Sequence, residues 1–205
     1  VMASYNSVGG APATASAARR SETLRRQWGF GAIVTADAGG TATIVKLRRV
    51  AASVEAAGCA CVYPTGELSF GMLCGDGTAV QILLDAAGRE SRLLRSEKFF
   101  DVVSDPLTEK GVRSGKRWLF ASFEGYLHDV DFSGESPKLV DRWSLFTEAE
   151  RAENWRIGGV QHLALHERSG ELYSIVHKGG VGTHKDPGVD IWVYDLAERK
   201  RIRAI

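Results

Sequence analysis

The chain has 205 residues, a formal net charge of +1 and 44% hydrophobic residues, enough for one domain with a real core or for a piece of a larger one. The near-neutral balance excludes a nucleic-acid surface, which needs a basic excess on one face. No apolar run approaches the ~20 residues that cross a bilayer. Val1-Met2-Ala3-Ser4 lacks the basic start and apolar stretch of a signal peptide, so the chain reads as cytosolic, or as exported with its leader absent.

Residues 1–43 differ from the remainder. Ala11 to Ala18 is small and polar without periodicity, and so few large apolar side chains bury too little area to offset the entropy of ordering. Ser21 is a plausible N-cap for a short basic helix ending near Trp28. The segment reads as a low-complexity or disordered leader, and residues 44–205 as the folded part. The basic groups Arg19-Arg20, Arg25-Arg26, Arg48-Arg49 and Arg199-Lys200-Arg201 read as solvated turns.

From Thr43 the pattern is β-rich. Thr43–Leu47 is a strand candidate. Cys59–Tyr63 and Ser69–Cys74 flank a Pro64-Thr65-Gly66-Glu67 turn and read as a hairpin. Strand candidates follow at Thr78–Leu83, Arg117–Ser122, Tyr126–Asp131, Val160–His166, Glu171–His177 and Ile191–Tyr194. One segment, Thr147–Trp155, reads as a helix, with Thr147 as N-cap, Glu148 and Glu150 in the first turn, and Gly158-Gly159 as the stop.

The strand-and-turn units recur. Gln81-Ile82-Leu83-Leu84-Asp85, His128-Asp129-Val130-Asp131-Phe132 and Trp192-Val193-Tyr194-Asp195-Leu196 each lead into a polar turn. The aspartates Asp85, Asp131 and Asp195 are separated by 46 and then 64 residues, the second interval lengthened by the helix. This period suits four-stranded blades of a β-propeller. At about 45 residues per blade the chain holds roughly three to four blades, part of a closed ring.

Few motifs carry chemistry. His162 and His166 on one strand would sit about 13 Å apart, too far for one zinc. His177 and His184 flank Gly179-Gly180-Val181-Gly182, which lacks the Lys-Ser/Thr of a phosphate-binding loop and reads as a blade loop. Asp129 and Asp131 share a strand face at the end of what reads as an outer strand, where such pairs begin turns. Asp101, Asp105 and Glu109 lie in loop sequence without a positioned partner. No Gly-x-Ser-x-Gly elbow is present. Trp118, Trp143, Trp155 and Trp192 read as aromatics of the blade core or blade interface. Of the three cysteines, Cys59, Cys61 and Cys74, spacing leaves open a Cys59–Cys74 bridge or three buried free thiols. No residue of this chain is assigned a catalytic, cofactor-binding or metal role.

Several segments together resemble the heavy subunit of the quinoprotein amine dehydrogenases, the methylamine and aromatic (aralkyl) amine dehydrogenases. They are Ala56-Ala57-Gly58-Cys59, Met72 to Gly77, Gly125-Tyr126 with Asp131 to Gly134, Thr147 to Gly159, and Gly182-Thr183-His184-Lys185 with Asp190 to Asp195. The match runs in order over about residues 44–205. The Gly-Thr-His-Lys loop and Ile191-Trp192-Val193 lean toward the aromatic-amine branch.

The resemblance implies a seven-bladed all-β propeller with one short helical insertion, of which three to four blades are present here. It implies a periplasmic α2β2 assembly with a small disulfide-rich light subunit. That subunit carries tryptophan tryptophylquinone and the catalytic base. Primary amines are deaminated to aldehyde and ammonia, and electrons pass to a blue-copper protein of the azurin or amicyanin kind. The heavy subunit shapes the entrance and docks partners, so this chain alone is expected to be inactive. The resemblance also implies a Cys59–Cys74 disulfide and leaves Cys61 as a buried extra thiol. The alternative reading is a non-catalytic propeller used for binding or scaffolding, or a degenerate copy. A free-standing propeller enzyme with bound quinone or haem is a third, lowered by the lack of a Cys-x-x-Cys-His attachment.

Overall fold

The computed structural model describes residues 56–86 and 90–205, together with four short strands nearer the N-terminus. Contacts divide the chain into two compact units, Val1–Ala57 with Leu83–Arg92, and Gly58–Ile82 with Leu93–Ile205. In the first unit β1 (Met2–Ala3) pairs in parallel with β4 (Thr35–Ala36), and β2 (Ser7–Val8) pairs antiparallel with β3 (Ala11–Pro12). The helix read over residues 21–28, the strand read over 43–47 and most of the leader read over 1–43 lie outside the described residues.

The rest of the described chain is built from antiparallel meanders. Blade one orders β5 (Cys59–Gly66), β6 (Ser69–Cys74), β7 (Ala79–Leu84) and β8 (Glu90–Arg95). Blade two orders β9 (Val112–Ser114), β10 (Arg117–Ala121), β11 (Tyr126–Asp131) and β12 (Lys138–Ser144). In blade three β14 (Leu163–His166), β15 (Glu171–Lys178), β16 (Asp190–Asp195) and β17 (Lys200–Ala204) form the meander, and β13 (Trp155–Ile157) pairs with the far end of β15. This is an all-β architecture of propeller blades; among the described residues there are three blades and a single short helix, α1 (Glu148–Ala152).

Period-two alternation sorts each strand's side chains between two seams. On β10, Trp118 and Phe120 join Tyr63, Ala79, Val130 and Phe132 in the seam with blade one. Leu119 and Ala121 point the other way, joining Leu127, Leu172, Val176, Trp192 and Tyr194 in the seam with blade three. The repeat read from Asp85, Asp131 and Asp195 marks the third strand of each blade, not an outer one, because β8, β12 and β17 follow. Asp131 Oδ1 accepts from Ser133 N at 2.8 Å, and Asp195 Oδ1 accepts from Ala197 N at 2.8 Å. These side-chain turns explain why Asp recurs there. The repeat extends further: the fourth strand bulges opposite Asp129/Val130 in blade two and opposite Val193/Tyr194 in blade three, the same two positions before the turn aspartate.

Several local expectations shift. The turn read at residues 64–67 moves to Glu67-Leu68, since β5 continues through Pro64 to Gly66. Proline is tolerated there because β5 is the edge strand of its sheet and is bulged beside it. The helix is shorter than read. Thr147 and Glu150 form a reciprocal capping box at its start, but it ends at Ala152, and Asn154 turns to φ 62°, which releases Trp155 into β13. Strand β17 had no legible signal because Lys-Arg-Ile-Arg-Ala is exposed throughout on an outer edge. Cys59 and Cys74 face each other across β5 and β6 and form a disulfide, S–S 2.03 Å. Cys61 is free and exposed, not buried as expected; a bulge between Ala60 and Tyr63 and a φ of 64° turn it outward.

Candidate functional site

Of the polar residues singled out in the sequence, His162, His177, His184, Asp105 and Glu109 gather at the end of blades two and three that carries the turn between second and third strands, whereas His166, Asp129 and Asp131 lie at the other end and Asp101 in its own turn. The β15–β16 connection, residues 179–189, is pinned along its length. Gly179 O accepts from Arg156 Nε at 3.0 Å, Gly159 N donates to Asp186 O at 2.6 Å, and Lys185 Nζ lies 3.9 Å from Glu109 Oε1. The His184 ring stacks on Phe123, in the β10–β11 turn, with centroids 3.5 Å apart and planes at 26°. Beside Phe123, Glu124 Oε1 pairs with Arg156 at 3.1 Å, and its backbone N–H donates to Asp105 Oδ1 at 2.8 Å. Asp105 and Glu109, read as unpartnered, therefore tie the loops together.

The histidines separate by role. His166 is exposed and its Nδ1 lies 2.6 Å from Ser169 Oγ in the β14–β15 turn. His162 sits just ahead of β14, 1% exposed, with Nδ1 3.1 Å from Gly158 O. Its ring centroid is 6.1 Å from that of His184. Thr183 Oγ1 donates to Gly180 O at 2.7 Å, so His177 Nε2, 3.0 Å away, must donate to Thr183. That tautomer leaves His177 Nδ1 buried without a partner, as is Nδ1 of His184. Gly158 is required here: a Cβ on it would lie 2.6 Å from His177 Nδ1.

Burial pushes the His162 imidazole below its ordinary value, against the Gly158 carbonyl that favours the charged form. His184 is lowered by burial first, then by His162 and Lys185. Both rings are neutral at physiological pH. The exposed Asp101 carboxyl is held down to about 2 because it accepts from the backbone N–H groups of Ser104 and Val103. In blade two, burial and Arg142 lower His128 to about 4. Arg142 Nε donates to His128 Nε2 at 3.2 Å, which requires that nitrogen to be unprotonated. Arg142 also covers one ring, Tyr126, at 3.6 Å, and Arg151 approaches the same ring at 4.5 Å.

The arrangement is a clasp: each hydrogen bond or ion pair ends on a backbone group or on a neighbouring loop. Among the described residues no group of three or more His, Cys, Asp or Glu is placed to hold a metal ion. No helix among them is long and apolar enough to cross a membrane. Trp118, Trp143, Trp155 and Trp192 all lie in the blade seams. The role of Phe123 was missed in the sequence reading, because nothing in a Ser-Phe-Glu-Gly turn announces a stacking partner 61 residues away.

Comparison with known proteins adds what this geometry lacks. The chain is 28% identical over 151 residues to the methylamine dehydrogenase heavy chain of Methylophilus methylotrophus, covering 72% of this chain and 36% of that one. It is 28% identical over 154 residues to the protein of the same name from Methylorubrum extorquens, covering 74% and 37%. The chain thus spans little more than a third of the length of the curated relatives it matches. Among solved structures, the WD40 repeats of RRP9 overlay with a TM-score of 0.45 at 12% identity, over 75% of this chain and 40% of that one. The sequence profile of the methylamine dehydrogenase heavy chain family matches residues 30–205, and the chain belongs to that family.

Proposed function

We propose that this chain acts as a heavy-chain component of a periplasmic amine dehydrogenase, in an α2β2 complex with a small light subunit. The family match over residues 30–205 carries this reading. The Cys59–Cys74 disulfide supports an oxidising compartment. Tryptophan tryptophylquinone on the light subunit would supply the electron sink for turning a primary amine into aldehyde and ammonia, with a blue-copper protein as acceptor. The tryptophans described here fit that division of labour. Trp155 and Trp192 lie 4.8 Å apart, but Lys178 sits over one ring and Arg201 over the other. Such packed seam residues serve the fold, and this chain's part is to hold loops and present surfaces.

The names of the relatives point to methylamine as substrate, while Gly182-Thr183-His184-Lys185 and Ile191-Trp192-Val193 favour an aromatic amine. The test is a pull-down from periplasmic extract with this chain as bait, followed by a quinone redox stain of the separated bands. A small staining band, with amine-dependent dye reduction by the captured complex, is the expected result. Comparing methylamine with 2-phenylethylamine then assigns the branch. A folded bait that retains no staining band would support the scaffold reading and remove the enzyme label.

A further inference from the structure

The β15–β16 connection reaches from blade three to blade two through one short stretch, residues 184–188. The His184 ring lies on Phe123, and Lys185 Nζ comes within 3.9 Å of Glu109 Oε1. Behind them Asp186 O accepts from Gly159 N at 2.6 Å. The preceding stretch is tied to blade three by bonds of its own. Gly179 N donates to Asn154 O at 3.0 Å, Gly179 O accepts from Arg156 Nε at 3.0 Å, and Thr183 Oγ1 donates to Gly180 O at 2.7 Å. Between the two stretches stands Gly182, at φ 87° and with open space around it, where the chain can turn with no side chain in the way.

The contact on blade two is sensitive to protons. His184 Nδ1 is buried without a hydrogen-bond partner. A bare lone pair is tolerated there, but a proton would make it a buried donor with no acceptor on a charged ring. His162, 1% exposed, lies beside it with ring centroids 6.1 Å apart and already donates from Nδ1 to Gly158 O, so a second proton on that ring only adds charge. Glu109 faces both rings and Asp186 faces His184, while Lys185 faces both rings and Lys110 faces His162. On the β10–β11 turn, Glu124 is already paired with Arg156 at 3.1 Å, and on β15 His177 Nε2 donates to Thr183 in the anchored stretch. Two carboxylates are thus matched by two ammonium groups, and an imidazolium on either ring has no counter-charge left to it. Burial is the largest cause holding both rings below their ordinary value.

We infer that residues 184–188 form a pH-sensitive latch, closed on blade two while His162 and His184 are neutral and released when they take up protons. In the released form both imidazoles regain water and titrate near 6.5, above their values in the closed form. Protons therefore favour the open form. The latch is firm above about pH 6.5 and gives way as pH falls through the closed-form values. Opening uncovers Phe123, so the surface at this end of the blades changes with acidity while the strands stay paired. The latch is independent of the proposed enzyme role.

Two neighbouring amides report on it. Gly159 N–H is bonded to Asp186 O in the latch, whereas Gly158 N–H is bonded to Ile175 O at 2.9 Å within the blade. Their hydrogen exchange is measured by NMR on the 15N-labelled full chain at pH 7.5 and 5.0, each rate divided by the intrinsic rate at that pH. Gly159 should lose about tenfold or more of its protection at pH 5.0, the equivalent of about one pH unit of differential proton affinity, while Gly158 keeps its own. His184→Phe retains a ring on Phe123 without a proton site, and it should hold Gly159 protected at both pH values. Phe123→Leu removes the ring under His184 and should leave Gly159 unprotected at both. Thermal melts at both pH values verify that each variant folds, and Phe123→Leu decides if His184→Phe does not. Gly159 protection that survives at pH 5.0 in the unmutated chain, that falls together with that of Gly158, or that responds to pH alike in a folded variant would overturn the latch.

Discussion

Between blades one and two, Trp118 Nε1 donates to Pro64 O at 3.0 Å and Gln81 Nε2 donates to Phe132 O at 3.0 Å. Tyr63 meets Trp118 and Phe120 with ring centroids 5.0 and 4.9 Å apart. Gly71 lies under Phe132, where a Cβ would come within 2.5 Å of the ring. Between blades two and three the apolar centre is larger, and Arg–Asp pairs and an open pocket stand at its margin. The first seam is closed by neutral hydrogen bonds and aromatic edges that lose little to water. The second mixes burial with charges that must be paired to be tolerated. One β-meander can therefore carry a neutral, aromatic face and a charge-rimmed face, because alternate residues of β10 and β11 point into different seams.

Four outcomes would break or sharpen this contrast. Phe120→Ala, at a side chain with no exposure, should cost about 3–5 kcal/mol in urea unfolding. A loss below about 1 kcal/mol would mean that the first seam is not the rigid one. Next comes pH. His128 sits near 4 when folded against an ordinary value near 6.5. The unfolded chain takes up the proton first as pH falls, so this contribution is fully present above about pH 6.5 and lost toward pH 4, in all about 3 kcal/mol. The lowered His162 and His184 act in the same direction. Urea midpoints at pH 7.5 and 4.5 should therefore converge in part for His128→Gln, and an unchanged gap would remove His128 as a cause.

Trp118→Phe keeps an aromatic body and loses the hydrogen bond to Pro64 O, for an expected cost of about 1 kcal/mol. In the second seam, Tyr194→Phe should be neutral or stabilising by up to about 1 kcal/mol, since the Tyr194 hydroxyl is buried without a partner. If Tyr194→Phe instead costs more than Trp118→Phe in thermal melts, the hydroxyl has a partner and the two seams are alike.

The all-β class, the blade-like repeat, the helix cap at Thr147 and the family were legible in the chain. Each rests on local chemistry: alternation along a strand, an aspartate that accepts from the turn after it, a threonine that caps a first turn. The same locality explains the misses. Pro64 looked like a turn residue because edge position cannot be read from neighbours in sequence, and Cys61 looked buried because a bulge reverses the face of everything beside it. Strand β17 carries no hydrophobic alternation, so only pairing with β16 reveals it.

Tertiary structure alone decided which polar residues meet. His184 on Phe123, Arg199 on Asp141 and Glu109 near Lys185 join segments far apart in sequence. Such contacts depend on how one blade is turned against the next, and no local pattern encodes that angle. The sequence marked Asp129 as one of a pair of turn-forming carboxylates. Packing made it a largely buried acid, paired with Arg117 through one oxygen and unpartnered at the other, because the strand that carries it lies in the seam between blades two and three.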